Sequence, residues 1–205
     1  MMPAAELTAS DLVAAAQRWQ GAARLFDYPS AAGELSAVID GCAEMAEGAP
    51  AAIAAAGSAL AEAAATLATA EDLAAEHTFL FARQAPAPPR ESSYAILPAT
   101  AQGTIMSDLG AFYRAFGFAT RPALPPDHLC AELAFVGALL AKEAIARENG
   151  WREPARLTRA ARRRFIREHL GGWLPKFVER LERHARSPFY PRAGAYALAL
   201  LRDEA

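Results

Sequence analysis

The sequence is poor in cysteine and lacks the short motifs that mark common catalytic or nucleotide sites. Its two cysteines, Cys42 and Cys130, stand alone, without a CxxC pair or a neighbouring cluster of ligands. Their flanks, "GCAEMAE" and "HLCAEL", read as helix, so both are expected to be small buried side chains, with a single disulfide left open. GxGxxG and GxxxxGK[ST] are absent, which removes the usual phosphate cradles. GxSxG and HExxH are absent too, which removes the nucleophile elbow and the zincin pair. No basic start followed by an apolar run opens the chain, so no signal peptide is expected and the expected compartment is the cytoplasm. The apolar stretch 49–70 is mostly alanine and carries Gly57, Ser58, Glu62, Thr66 and Thr69, too polar for a membrane span or for stable insertion.

A net charge of −2 over 205 residues excludes a strong whole-protein attraction to nucleic acid or anionic membrane. The charge is nevertheless divided. Residues 1–110 carry 4 Lys/Arg against 13 Asp/Glu, and residues 111–205 carry 17 against 10. A hydrophobic fraction of 53% allows a sizeable core.

What the chain has is helical periodicity almost throughout, built from alanine, leucine, glutamate and arginine. An all-α bundle of about eight or nine helices is expected. Ser10 is the expected cap of a first helix whose face holds Leu12, Ala15, Trp19, Ala22 and Phe26, ending near Tyr28-Pro29. Ser30 caps a second, ending near Gly48, and Pro50 opens a third. A fourth covers about 70–82 with Leu73, Phe79 and Leu80 inward. Residues 83–100, "RQAPAPPRESSYAILPAT", cannot continue a helix. A fifth helix, about 101–117, carries Ile105, Leu109, Phe112 and Phe116. The breaker "RPALPPD" follows. Helix six, about 127–149, has the stripe Leu129, Leu133, Val136 and Leu140. Helices at about 153–170, 173–186 and 188–203 finish the chain, separated at Gly171-Gly172 and Ser187-Pro188. The proline-rich breaks are hinges within one 1–205 domain or a joint between helical halves 1–120 and 127–205.

The candidates for chemistry are sparse. Asp127-His128-x-x-x-Glu132 is the densest acid/His group, and His128 and Glu132 share a helical face. Two such ligands fall short of a metal site. A small hydrolase or nucleotide enzyme using Asp127, His128 and Glu132 is the alternative reading; otherwise the chain is not expected to be an enzyme. Arg152, Arg156, Arg159, Arg163 and Arg167 recur every three or four residues and line one face of an amphipathic helix, with Leu157, Ala161 and Phe165 roughly opposite. Without a net basic domain this is a solvated face, and no nucleic-acid partner is expected. Trp173, Phe177 and Leu181 keep a spacing of four and read as core.

Four blocks in order carry a resemblance. "RLFDYPS" ends the first helix. "AAEHTFLFARQAPAPPRESSY" joins a helix end to a proline-rich loop and Glu-Ser-x-Tyr. "PPDHLCAELAFVGALL" contains Pro-x-Asp-His-Leu before a helix. "FIREHLGGWLPKFVERLERHARSPFYPRAGAYAL" closes the chain. Together they resemble the TorD/DmsD/NarJ-type redox enzyme maturation chaperones, over roughly residues 19–200. One departure is that Leu124 stands where a glutamate precedes the hinge. The resemblance implies an all-α cytoplasmic chaperone without a cofactor. Its partner would be the catalytic subunit of a molybdenum-containing oxidoreductase, held by its twin-arginine signal peptide or as the apo-form until the cofactor is inserted. Carried over, the client-binding positions are Asp127 and His128, with Glu132 one turn on, and Glu91, Ser92 and Tyr94 in the first loop.

These residues suit the task. Guanidinium groups prefer bidentate carboxylates, and an apolar leader needs a groove. Asp127 and Glu132 are expected to face the arginines and His128 to shape the rim. Monomer and domain-swapped dimer are both compatible with long hinge loops.

Overall fold

Residues 7–29, 40–42, 44–82, 84–95 and 102–204 are described by the computed structural model, and their regular structure is helical with no strand. The expected Ser30 cap lies outside these residues. The elements are α1 (Ala9–Arg24), α2 (Ala51–Ala64), α3 (Ala70–Phe81), a 3₁₀ turn (Glu91–Ser93), α4 (Gln102–Ala115), α5 (Leu129–Glu148), α6 (Arg152–Glu168), α7 (Leu170–His184) and α8 (Phe189–Glu204). Residues 40–42 and 44 are helical as well.

Helix α5 is the axis of the packing. Its stripe Leu129, Leu133, Val136 and Leu140 is fully buried, and it is flanked by α1 on one side and α6 on the other. Helix α1 can approach because Gly137 has no side chain: a Cβ there would meet Gln20 Nε2 at 2.9 Å and the Ala16 carbonyl at 3.1 Å. Gln20 uses the proximity to donate to the Ala134 carbonyl at 2.9 Å. Helix α7 packs on α6 and α8, and α8 in turn carries α2. Trp173, Phe177 and Leu181 enter the core as their spacing predicts, together with Trp19, Phe26 and Tyr190.

Several local expectations are corrected. Helix α1 is capped by Thr8, not Ser10: Thr8 Oγ1 accepts from the Asp11 N–H at 3.1 Å and Asp11 returns a bond from the Thr8 N–H at 2.8 Å. That reciprocal box satisfies two end groups where a lone Ser10 would satisfy one. The break between α6 and α7 falls at His169, and Gly171-Gly172 lies inside the first turn of α7. Gly171 is needed for closeness, since a Cβ would sit 3.0 Å from the Ile166 carbonyl. Phe79 is 36% exposed with the Arg186 guanidinium over its ring at 3.9 Å, and Leu157 is 53% exposed. Both lie at the edge of their stripes, where the neighbouring helix no longer reaches.

The arginine helix α6 keeps its solvated face, with Arg156 paired to Glu153 and both Arg164 and Arg167 reaching Glu168. Arg162, on the opposite side, is 3% exposed. Its Nη2 donates to Glu143 Oε2 at 2.8 Å and its Nη1 reaches Glu204, while Arg147 holds the other Glu143 oxygen at 2.6 Å and the Leu7 carbonyl at 2.7 Å. One buried cluster thus ties α5, α6, the end of α8 and Leu7 ahead of α1. Arg162→Ala leaves Glu143 with Arg147 alone and is expected to cost about 2–3 kcal/mol in urea unfolding, whereas Arg156→Ala on the same helix is expected to cost less than about 1 kcal/mol.

Candidate functional site

The two proline-rich breaks meet. Prolines leave both without helix hydrogen bonds, so their remaining backbone groups need partners elsewhere. They find each other: the Glu91 N–H donates to the Asp127 carbonyl at 3.0 Å, the Leu129 N–H donates to the Pro89 carbonyl at 2.9 Å, and Arg90 and His128 form an isolated antiparallel bridge. Side chains lock the pairing. Asp127, fully buried, receives Arg90 Nη2 at 3.0 Å, Arg90 Nε at 3.1 Å and Ser92 Oγ at 2.6 Å. Tyr113 of α4 donates to the Pro126 carbonyl at 2.7 Å and steadies the second loop from below.

Turning the first loop inward places Glu91 against α6 and α7. His169 Nδ1 donates to its carboxylate at 3.0 Å. Tyr94 stacks on Trp173 with ring centroids 5.4 Å apart, and Arg180 lies over its other face at 5.0 Å. Burial pushes the Tyr94 hydroxyl up to about 12. Trp173 Nε1 donates to Glu132 Oε2 at 3.1 Å, while Glu132 Oε1 has no hydrogen-bond partner among the described residues. Burial, reinforced by the charges of Glu91 and Asp127, raises the Glu132 carboxyl well above the usual carboxylate range. Glu132 therefore gives up its proton at a higher pH than an exposed carboxyl does.

His128 caps α5: its Nδ1 accepts from the Cys130 N–H at 3.2 Å, which requires the neutral ring with its proton on Nε2. Burial lowers its pKa to about 4, against the opposing pull of Asp27 and Asp127.

All six residues singled out from the sequence, Glu91, Ser92, Tyr94, Asp127, His128 and Glu132, thus gather at one clasp. Their role in it differs from the expectation for the two carboxylates. Asp127 and Glu132 are fully buried and turned inward, one bound by Arg90 and Ser92 and the other by Trp173. Neither lines the pocket along α1 described below. Among the described residues no three His, Cys, Asp or Glu side chains are placed to hold a metal. Both cysteines are free and buried.

The open feature lies beside the clasp. A half-open pocket of about 1000 Å³ runs along α1. Its walls include Ala16, Gly21, Leu25, Leu73, Gly137 and Phe189, and its lining carries the carboxylates of Asp27, Glu44 and Glu47. Asp27 and Tyr28, just past α1, stand at the clasp end, where Asp27 pairs with Arg121 of the second loop. Reading the sequence overlooked Arg90, Tyr113, His169 and Trp173, which look like ordinary helix or loop residues there. It overlooked Asp27 as well, although a carboxylate directly after the apolar face of "RLFDYPS" is a visible signal.

The sequence model of the family described as nitrate reductase delta subunit matches residues 43–179, well over half of the chain and the whole clasp. A comparison with curated proteins gave no match.

Because His128 is held neutral, stability that depends on it is complete above its unfolded value of 6.5 and is lost as the pH falls toward about 4. At most about 3 kcal/mol is at stake. The thermal midpoint of the wild type is expected to fall more steeply between pH 6.5 and 4 than that of His128→Asn, whose amide can cap α5 without titrating. Parallel curves in scanning calorimetry would show that the ring does not carry this dependence.

Proposed function

The chain belongs to the nitrate reductase delta subunit family, a family of redox-enzyme maturation chaperones, and on that premise we propose that it is a cytoplasmic proofreading chaperone of the TorD/DmsD type. Its client is the catalytic subunit of a molybdenum-containing oxidoreductase. It binds the twin-arginine signal peptide, or the apo-form, and holds it until the cofactor is inserted. No chemical step belongs to the chaperone.

The observation that supports this reading is the pocket beside the clasp. Small and apolar side chains of α1, α5 and α8 make a floor that accepts a moderately apolar segment, and carboxylates in its lining match a basic head. The clasp supplies the rigid end of the groove. Asp127, Ser92 and Arg90 fix the second loop, Glu91 and Tyr94 anchor the first against His169 and Trp173, Glu132 holds the Trp173 indole, and His128 aims the start of α5. Asp127 and Glu132 act in this reading by shaping the groove, and the basic head of the leader meets carboxylates nearer the surface.

No described helix is long and apolar enough to cross a membrane.

Calorimetric titration with a synthetic twin-arginine leader tests the reading. Asp127→Ala and His128→Ala are each expected to weaken binding about five- to tenfold while the circular dichroism spectrum stays helical. Binding is expected to tighten as ionic strength is lowered, because part of the attraction is between charges. Unchanged affinity in both variants removes the clasp from the binding site.

A further inference from the structure

Resting on the leader-binding reading above, we propose that Asp27 is the acceptor for a client arginine and that Arg121 occupies it in the empty chaperone as an internal stand-in. The two residues are 94 positions apart and are joined by a guanidinium–carboxylate pair at the mouth of the pocket. Arg121 is 64% exposed at its side chain and Asp27 31%, so the pair sits where an incoming peptide can reach it. The chain itself therefore displays the contact that an arginine-bearing segment would make there.

The charge of the lining supports exchange. The pocket is lined by three guanidinium groups, Arg18, Arg24 and Arg121, and by three carboxylates, Asp27, Glu44 and Glu47. Withdrawing Arg121 leaves an excess of negative charge facing the cavity, which a cationic segment restores to balance. Arg18 is engaged elsewhere, donating to the Glu47 carbonyl at 3.2 Å, so it does not compete for Asp27.

The loop that carries Arg121 is built to hold it loosely. The Leu124 N–H donates to the Arg121 carbonyl at 3.0 Å, closing a tight turn. Ala123 in that turn has φ +67°, the left-handed region that a residue with a side chain adopts at a cost. An exposed ion pair contributes little to stability, and the turn beneath it is strained, so displacement of Arg121 is readily reversed. The loop also runs directly into Pro125, Pro126 and Asp127 of the clasp. Release of Arg121 by a bound arginine would thus be felt at the start of α5.

The probe is the peptide acetyl-Arg-Arg-Ala-Phe-Leu-Ala-Ala-amide, with a second peptide carrying glutamine at both arginine positions, titrated by calorimetry into the full chain. Arg121→Gln is expected to bind the arginine peptide about two- to fivefold more tightly than the wild type, the factor set by removing an exposed competitor. It is expected to leave the glutamine peptide unchanged. Asp27→Asn is expected to weaken the arginine peptide, and adding Arg121→Gln to Asp27→Asn is expected to have no further effect. Circular dichroism and thermal midpoints of all variants are expected to match the wild type, as befits surface positions. If the wild type binds and Arg121→Gln is no tighter, or tightens the glutamine peptide equally, or tightens in the Asp27→Asn background, the stand-in is overturned while the leader-binding reading survives. If neither the wild type nor Arg121→Gln binds the arginine peptide, both fall.

Discussion

The ion pair between the exposed Arg90 side chain and the fully buried Asp127 carboxylate is the contact on which the arrangement of the molecule turns. Two loops that prolines keep out of helices would otherwise carry backbone groups with no partner. Pairing them edge to edge, and sealing the pair with a desolvated carboxylate that also takes the Ser92 hydroxyl, converts two breaks into one rigid joint. The consequences spread outward. The start of α5 is set by the residue after Asp127, and the 3₁₀ turn directs Glu91 to His169. The next residues bring Tyr94 onto Trp173, whose indole reaches Glu132. A carboxylate this deeply buried is costly to leave alone, and so each member of the set constrains the others.

A second, distant cluster closes the other end of the bundle. Glu143, Arg147, Arg162 and Glu204 bind α5, α6 and α8 into one block. Between these two polar clusters lies a core of aromatic and aliphatic side chains with α5 through its centre. The pocket opens along α1.

Much of this was legible in the sequence. Helical periods of three and four placed the core residues of α1, α5 and α7, and the prolines marked both loops. The family resemblance named the positions that meet at the clasp. What stayed hidden depends on three dimensions. Whether a carboxylate faces water or a neighbour is decided by tertiary packing, so Asp127 and Glu132 read as open acceptors although Arg90 and Trp173 had already taken them. Arg162 sits among six exposed or half-buried arginines on one helix, and only its phase, about half a turn away from the solvated face, distinguishes it. Leu157 and Phe79 satisfy the pattern of an inward residue, yet no neighbour covers them. Gly171-Gly172 looks like a break, whereas Gly171 serves a close approach to the Ile166 carbonyl.

The two thiols carry a consequence of their own. Burial pushes Cys42 up to about 12 and Cys130 well above the ordinary thiol range, so neither forms thiolate at neutral pH. Thiolate is the form that captures soft metals and attacks disulfides. In a family that tends redox enzymes, both thiols are thereby poor metal ligands and poor attackers of disulfides.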